Sequence, residues 1–142
     1  MKKNLIVLAS TMIAAFVLIQ LVPYRITNSS VRQEPKWDSP RTRALAVRAC
    51  YDCHSNEVKK PWYGNVAPVS WFLTNHVDDG RAALNFSEWK TSRGEGANDA
   101  AETVVNGSMP PGYYTWFGLH SAAKLSPTER DELIAGLKQL GK

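Results

Sequence analysis

Residues 50–54 read CYDCH and contain both cysteines of the 142-residue chain, Cys50 and Cys53. The two cysteines are three residues apart, so on one helical turn their thiols face the same side. A chain with two cysteines cannot be a domain held together by several disulfides. His54 follows Cys53 directly, and its imidazole completes the most specific chemical pattern in this sequence.

The spacing C-x-x-C-H is that of covalent haem attachment. Two thiols on one turn can add to the two vinyl groups of one haem, and the next histidine then supplies an axial nitrogen ligand to the iron. We therefore expect one covalently attached haem c. Cys50 and Cys53 would be its attachment sites, and His54 would be an iron ligand.

Three other interpretations of this pattern are weighed against haem attachment. A thioredoxin-like redox pair needs a βαβ pattern, which the surrounding sequence lacks. A structural zinc site would take Cys50, Cys53 and two of the three histidines, but no second closely spaced pair of ligands is present. A simple disulfide would leave His54 without a role. Haem attachment accounts for all three side chains.

A low-spin haem that transfers electrons needs a second axial ligand, commonly methionine or another histidine. Met109 is the only methionine after residue 12, and it lies in the segment 107–112, GSMPPG. Prolines restrict the backbone and suit the positioning of a weak thioether ligand, although methionine also commonly fills gaps in a core. We predict Met109 as the sixth ligand, with His120 and then His76 as the alternatives.

Aromatic residues follow both parts of the predicted site. We expect most of them to be buried in the core, where they would also contact the haem and exclude water. We consider the carbonyls of Pro61 and Pro68 as acceptors for the second ring nitrogen of His54. The aromatic residues are Trp62, Tyr63, Trp71, Phe72, Tyr113, Tyr114, Trp116 and Phe117.

The N-terminus predicts a membrane anchor. Lys2 and Lys3 precede an apolar run over residues 5–22. This run has the length of a membrane span, about 20 residues, and exceeds the core of a signal peptide, about 7–15 residues. No cleavage site with small residues follows it, so we expect an uncleaved anchor over 1–23, with a cleaved signal peptide as the alternative. The two lysines favour a cytoplasmic N-terminus, a single pass through the bacterial inner membrane and a periplasmic domain.

After the anchor, the sequence predicts a flexible linker over 24–38 and an all-α domain over 39–142. The linker lacks hydrophobic periodicity. The domain shows four helix signals, no convincing strand, and long loops over 61–67 and 107–125. The expected starts and ends of the helices are Ser39 and Cys50, Pro68 and Gly80, Asn98 and Gly107, and Ser126 and Gly141. In the first helix, we place Ala44, Leu45, Val47 and Ala49 on the apolar side. The apolar residues expected in the second helix are Val69, Trp71, Phe72 and Val77, and those at helical spacing in the last are Leu133, Ile134, Leu137 and Leu140.

Composition excludes two classes of protein. Hydrophobic residues make up 44% of the chain and charged residues 21%, which excludes a wholly disordered chain. The formal net charge is +4, and two of the lysines lie in the apolar N-terminal region. The remaining charge is too small and too mixed for a nucleic-acid surface, so we expect no nucleic-acid partner.

Several short segments together make the chain resemble the bacterial haem-binding domain family of small cytochrome c-like proteins. The resemblance covers about residues 40–140. It implies a cytochrome c-like helical domain around one covalent haem, with Cys50 and Cys53 as thioether sites and His54 as axial ligand. Met109 corresponds to the Met-Pro-Pro segment of that family. The segments are CYDCHSNE at 50–57, PWY at 61–63, APVSW at 67–71, LNFSEW at 84–89, MPP at 109–111 and KLS at 124–126.

Together these features predict a membrane-anchored monohaem protein that transfers single electrons in the periplasm. Such a protein transforms no substrate, so we expect no enzymatic activity. Its partners would be the membrane and redox proteins. The alternative is a haem-based sensor or a peroxidase-like protein, in which the sixth ligand is displaceable.

Overall fold

The computed structural model describes residues 1–89 and 96–140, with Phe117 described in its backbone only. Within these ranges the secondary structure is helical, and the one strand-like pairing is an isolated bridge between Gln33 and Glu88. The all-α prediction is confirmed. The helices are α1 (Lys2–Ile19), α2 (Pro40–Ala49), α3 (Tyr51–His54), α4 (Val69–Ala83), α5 (Ala97–Val105) and α6 (Pro127–Leu140), with short 3₁₀ helices at Trp62–Asn65, Gly112–Gly118 and Ser121–Ala123.

Helix α1 is the predicted apolar segment. It has 18 residues, none of them buried in the protein. It is long and apolar enough to cross a membrane, and its place at the N-terminus equally fits a signal sequence. At about 1.5 Å per residue it is about 27 Å long, close to the thickness of a bilayer hydrocarbon core, about 30 Å.

Helix α2 begins where the sequence predicts. The Ser39 hydroxyl accepts a hydrogen bond from the Thr42 backbone N–H (3.1 Å), and proline occupies the first helical position. The buried face follows the helical spacing i, i+3, i+4 and i+7, which puts Ala44 on the opposite, exposed side, against the prediction. The buried residues are Thr42, Leu45, Ala46 and Ala49.

Helix α6 also begins at its predicted cap. The Ser126 N–H donates to the Glu129 carboxylate (3.0 Å), and the Glu129 N–H donates to the Ser126 hydroxyl (3.2 Å). Leu133 and Leu137 are fully buried, as their helical spacing predicts. The predicted end at Gly141 lies outside the described residues.

The core lies where α2, α5 and α6 meet the segment 84–89. A side chain on Gly136 of α6 would overlap Thr42 of α2, so this glycine lets the two helices approach closely. Aromatic rings stack across the core on Phe86, whose centroid lies 5.5 Å from that of Tyr51 and 5.9 Å from that of Trp89. The core aromatic residues therefore come largely from the segment 84–89.

Helix α4 differs from its prediction in its end and in its buried face. It continues past Gly80 to Ala83, so the predicted end is wrong. The face turned inward carries Ser70, Thr74 and Val77, spaced by four and three residues, while Val69 and Phe72 are exposed. Small polar residues can lie on an inner face when their hydroxyls bond within the helix, as Thr74 does to the Ser70 carbonyl.

Helix α5 begins at Ala97 rather than at the predicted cap, Asn98. The Asp99 carboxylate accepts a hydrogen bond from the Gly96 N–H (3.2 Å). An acidic residue in the first turn therefore stabilises the N-terminus of the helix. The helix ends at Val105, and Gly107 has a φ of +77°. Glycine adopts this left-handed conformation without strain, so the predicted stop before Gly107 is confirmed.

The segment 24–38, for which the sequence predicts a flexible linker, packs against the domain. Ile26 is buried. Asn28 bonds both backbone groups of Val58, at 3.0 and 3.2 Å, and the Trp89 N–H donates to the Gln33 carbonyl (2.9 Å). Such bonds leave no periodic hydrophobic pattern, so they could not be predicted from the sequence. The segment is irregular as expected, but it lies along the domain surface.

Candidate functional site

The CYDCH sequence forms one helical turn at the junction of two helices. Cys50 follows the last residue of α2 and precedes α3. Its N–H donates to the Ala46 carbonyl (2.8 Å), and its carbonyl accepts from the His54 N–H (2.9 Å). These bonds continue the helical path through the junction. The turn places Cys50, Cys53 and His54 on the wall of one cavity.

This cavity has a volume of about 300 Å³ and brings all four predicted site residues together: Cys50, Cys53, His54 and Met109. Cofactor pockets range over about 300–1,000 Å³, so it is a small one by that standard. Its walls are mostly apolar and come from α2 to α6 and the loop that carries Met109. The apolar lining residues include Ala49, Ala83, Leu84, Phe86, Val104, Pro110, Pro111 and Leu137.

His54 is held in one orientation by a backbone carbonyl. Its Nδ1 lies 3.0 Å from the oxygen of Leu84. A carbonyl only accepts, so this hydrogen bond requires a proton on Nδ1, and the neutral ring in this tautomer has its free lone pair on Nε2. This is the usual arrangement of a histidine that binds a metal through Nε2. The acceptor is Leu84, and the suggestion of Pro61 or Pro68 is wrong.

Gly80 allows α4 to lie directly against the CYDCH turn. A Cβ on Gly80 would lie 2.7 Å from the carbonyl oxygen of Cys53, closer than such atoms approach each other. The helix continues from there to Leu84, whose carbonyl holds His54. Sequence reasoning missed this role. The available signal was that helix-compatible residues continue beyond Gly80, since an isolated glycine within a helix often marks close packing.

The two thiols have the properties of protonated cysteines. They are not joined in a disulfide. Burial raises the pKa of Cys50 to about 12 and that of Cys53 to about 11. A redox-active Cys-x-x-Cys pair instead needs a lowered pKa, so the thioredoxin-like alternative is disfavoured.

The zinc alternative gains no support either. In the described ranges, no three histidine, cysteine, aspartate or glutamate side chains lie close enough together to hold a metal ion. All of the candidates that a zinc site would use lie within those ranges: Cys50, Cys53, His54, His76 and His120.

Met109 lies on a loop that the end of α5 holds in place. The Met109 N–H donates to the Thr103 carbonyl (3.1 Å), which also accepts from the Ser108 hydroxyl (3.2 Å). Met109 lines the cavity while 38% of its surface remains exposed. It therefore lies on the solvent side of the cavity. Its role as sixth ligand stays a prediction.

Of the two alternative histidines, the structure places His76 at the cavity and His120 elsewhere. His76 lines the cavity, and its Nε2 lies 2.5 Å from the Tyr113 hydroxyl. The ring of His120 instead stacks on Tyr114, with centroids 4.0 Å apart. The sequence favours His120 over His76 as the alternative ligand because His120 follows the aromatic cluster. In the structure, its ring instead stacks on Tyr114, a member of that cluster.

A hydrogen bond joins the Met109 loop to the CYDCH turn. The Tyr114 hydroxyl donates to the Asp52 carboxylate (2.8 Å). Burial, followed by the neighbouring Asp52 charge, raises the pKa of Tyr114, so this phenol keeps its proton. The sequence contains no signal for this pair, whose members are separated by 62 positions.

Most aromatic residues expected in the core lie elsewhere. Trp62, Phe72, Tyr113 and Trp116 are exposed, so the prediction of burial is wrong for these four. The core is instead filled by aromatic residues of the segment 84–89 and by Tyr51. Tyr63, Trp71 and Tyr114 are half-buried, and the side chain of Phe117 lies outside the described part of the chain.

The residues at the cavity fit a haem. Two free thiols lie on one turn, beside an imidazole whose Nδ1 is bonded to a backbone carbonyl, and the walls are largely apolar. A family profile described as haem-binding domain matches residues 14–139, which include every element that forms the cavity. No curated protein and no solved structure matches the chain significantly. Because the profile covers most of its length, the chain belongs to the haem-binding domain family.

Proposed function

We propose that this protein is a membrane-anchored c-type monohaem protein that transfers single electrons in the periplasm. The observation that carries the proposal is the fixed His54 ring, which shares one cavity with Cys50 and Cys53. A bound haem would supply a one-electron couple at its iron. No substrate is transformed, so the chain's own residues have only to hold, shield and tune the cofactor.

The cysteines would hold the cofactor. Each thiol would add its S–H across one vinyl double bond, so that sulfur bonds one carbon and hydrogen goes to the other. Cys50 and Cys53 are free, and the turn places both on the cavity wall, as this addition requires. Gly80 keeps α4 against the turn, which limits the movement of the attachment sites.

Two side chains of the cavity would serve as iron ligands. His54 would be held for this through its Nε2, since its bond to Leu84 fixes the ring orientation. Met109, which lines the same cavity, would supply a thioether, a ligand that raises the reduction potential relative to a second imidazole. The apolar lining would exclude water and favour the less charged, reduced state.

The anchor would keep the domain near its redox partners. An uncleaved α1 would hold the protein in the inner membrane, so encounters with membrane-bound donors and acceptors occur at a high effective concentration. N-terminal sequencing of the mature protein tests this part. We expect the N-terminus of the intact chain, whereas a start near residue 25–35 would make the protein a soluble periplasmic one.

One observation favours the second candidate, a sensor or peroxidase-like protein. Met109 is 38% exposed, and an exposed ligand on a loop is more easily displaced than a buried one. Such a protein would bind small molecules at the iron when the methionine leaves.

Optical redox titration of the haem-loaded protein separates the two functions. We expect a single one-electron transition and six-coordinate spectra in both oxidation states. A five-coordinate spectrum, ready binding of carbon monoxide or peroxide-dependent oxidation of a dye would instead support the second candidate.

A further inference from the structure

The end of α1 is bonded directly to the haem domain. Gln20 follows the last residue of α1, and its amide bonds both backbone groups of Ala67. Gln20 Nε2 donates to the Ala67 carbonyl (3.1 Å), and Gln20 Oε1 accepts from the Ala67 N–H (2.9 Å). This reciprocal pair places the residues that precede α4 beside the end of the anchor helix.

The chain that leaves the anchor then runs along α4 in the same direction. The Tyr24 hydroxyl donates to the Asp78 carboxylate (3.2 Å), and Arg81 donates to the Thr27 carbonyl (2.8 Å). The hydrogen-bond partners of residues 20–27 therefore follow one another in the same order along residues 67–81. The first turn of α4 is consequently the part of that helix nearest to the end of α1, and the rest of α4 extends away from it.

Large apolar side chains are exposed at this end of the domain. Trp62 is 80% exposed and Phe72 is 59% exposed. Phe72 lies three residues after the exposed Val69, so both occupy one face of α4. The 3₁₀ helix that begins at Trp62 packs against α4, and the exposed Leu21 follows Gln20. We call Leu21, Trp62, Val69 and Phe72 the anchor-end surface.

The position of this surface matches the edge of a bilayer. Helix α1 spans about 27 Å along its axis, so Gln20 at its end would reach the boundary between hydrocarbon and headgroups. Lys59, shortly before Trp62, is exposed, whereas the ammonium of the neighbouring Lys60 donates to the Ile26 carbonyl (3.1 Å). Tryptophan is enriched at membrane interfaces, and lysine extends its ammonium to headgroups there.

We propose that the anchor-end surface inserts into the headgroup region of the periplasmic leaflet. The proposal rests on the proposed anchor. The haem domain then lies on the membrane surface, rather than at the end of a free linker. His76 lies one turn beyond Phe72, with ring centroids 4.6 Å apart, and it lines the cavity. Docking therefore keeps that side of the cavity close to the lipid surface.

Photo-crosslinking in liposomes tests the proposal with the full-length, haem-loaded chain. A photoreactive phenylalanine analogue replaces Trp62, Phe72 or, as a control, Val105 in separate proteins. Val105 is 51% exposed, but it lies on α5 beside Arg130 of α6. The vesicles contain phosphatidylcholine and phosphatidylglycerol, and mass spectrometry quantifies the lipid adducts. Alkaline carbonate extraction of the same samples reports whether α1 holds the chain in the membrane.

We expect lipid adducts at positions 62 and 72 in several-fold higher yield than at 105, from chains that resist extraction. Equal yields at the three positions in chains that resist extraction would overturn the docking proposal and leave the anchor intact. Adducts between two copies of the chain at 62 or 72, in place of lipid, would also overturn it. Extraction of the chains from the vesicles by carbonate would overturn both the anchor and the docking proposal.

Discussion

The two walls of the cavity are built in different ways. The motif wall consists of residues 50–54, with Gly80 and Leu84 packed against them. Consecutive backbone hydrogen bonds hold the turn, and Gly80 approaches the Cys53 carbonyl so closely that a side chain would not fit. The loop wall consists of residues 109–114 and is held by one backbone bond to nearby Thr103 and by side-chain bonds to the more distant Asp52 and His76. The comparison shows that one cavity can combine a side built on a helical turn, with another helix packed closely against it, and a side held by a few separate hydrogen bonds.

The largest expected effect is on the motif wall. His54→Ala removes the side chain that the Leu84 carbonyl orients, so the haem should lose its nitrogen ligand and its low-spin absorption spectrum. The control is His120→Ala, because His120 is not among the residues that line the cavity. An unchanged spectrum in His54→Ala, or its loss in the control, would contradict the assignment of the two histidines.

The next-largest effect distinguishes Met109 of the loop wall from His76 of α4 as the sixth ligand. Met109→Ala should abolish the near-infrared methionine-to-iron band of the ferric protein and open the iron to cyanide, while the haem stays attached. His76→Ala is the comparison, since His76 lines the same cavity. We expect it to keep the band. If His76→Ala changes the ligation and Met109→Ala does not, then His76 is the sixth ligand.

Gly80→Ala tests the tightness of the motif wall. Helix propensity alone predicts that alanine stabilises an interior helical position by about 0.5–1 kcal/mol. The new methyl group would meet the Cys53 carbonyl at 2.7 Å, so we expect destabilisation instead, by about 1–3 kcal/mol. Thermal unfolding measures the difference. Gly112→Ala is the control, because its Cβ would meet nothing within 4 Å.

Loss of stability in Gly80→Ala but not in Gly112→Ala would confirm the close contact. Equal or raised stability in Gly80→Ala would show that α4 does not lie against the turn as closely as described.

The smallest effect concerns the bond between the two walls. Tyr114→Phe removes the hydroxyl that donates to Asp52, at a cost of about 1 kcal/mol in stability. The loop wall should loosen, so cyanide should bind the ferric protein more readily than in the wild type. Tyr24→Phe serves as the control, because it loses a bond of the same kind, to Asp78, and neither residue lines the cavity. Identical cyanide affinity in wild type and Tyr114→Phe would mean that the bond does not restrain the loop.

Features set by neighbouring residues could be predicted from the sequence. The caps at Ser39 and Ser126 and the stop before Gly107 depend on residues within one turn, and the structure confirms them. The CYDCH pattern likewise implies a shared face for its thiols before any tertiary contact forms. Cys50, Cys53 and His54 consequently line one cavity, and tertiary packing brings Met109 to it.

Features set by distant residues could not be predicted. The end of α4 depends on the fit of Gly80 against Cys53, and the carbonyl that holds His54 depends on that same helix end. The segment 24–38 is held by side-chain bonds to the backbone, which produce no hydrophobic periodicity. The exposure of Phe72 depends on how α4 is turned against its neighbours, and residue type alone does not determine that rotation.

The central claim is that residues 50–54 hold one haem covalently. The direct test is the intact mass of the chain, produced in a host that attaches haem c and then extracted with acid. We predict the mass of the chain plus one haem, and the bare chain for the double variant Cys50→Ser, Cys53→Ser. A wild-type chain that shows only its own mass after production in that host would contradict the account.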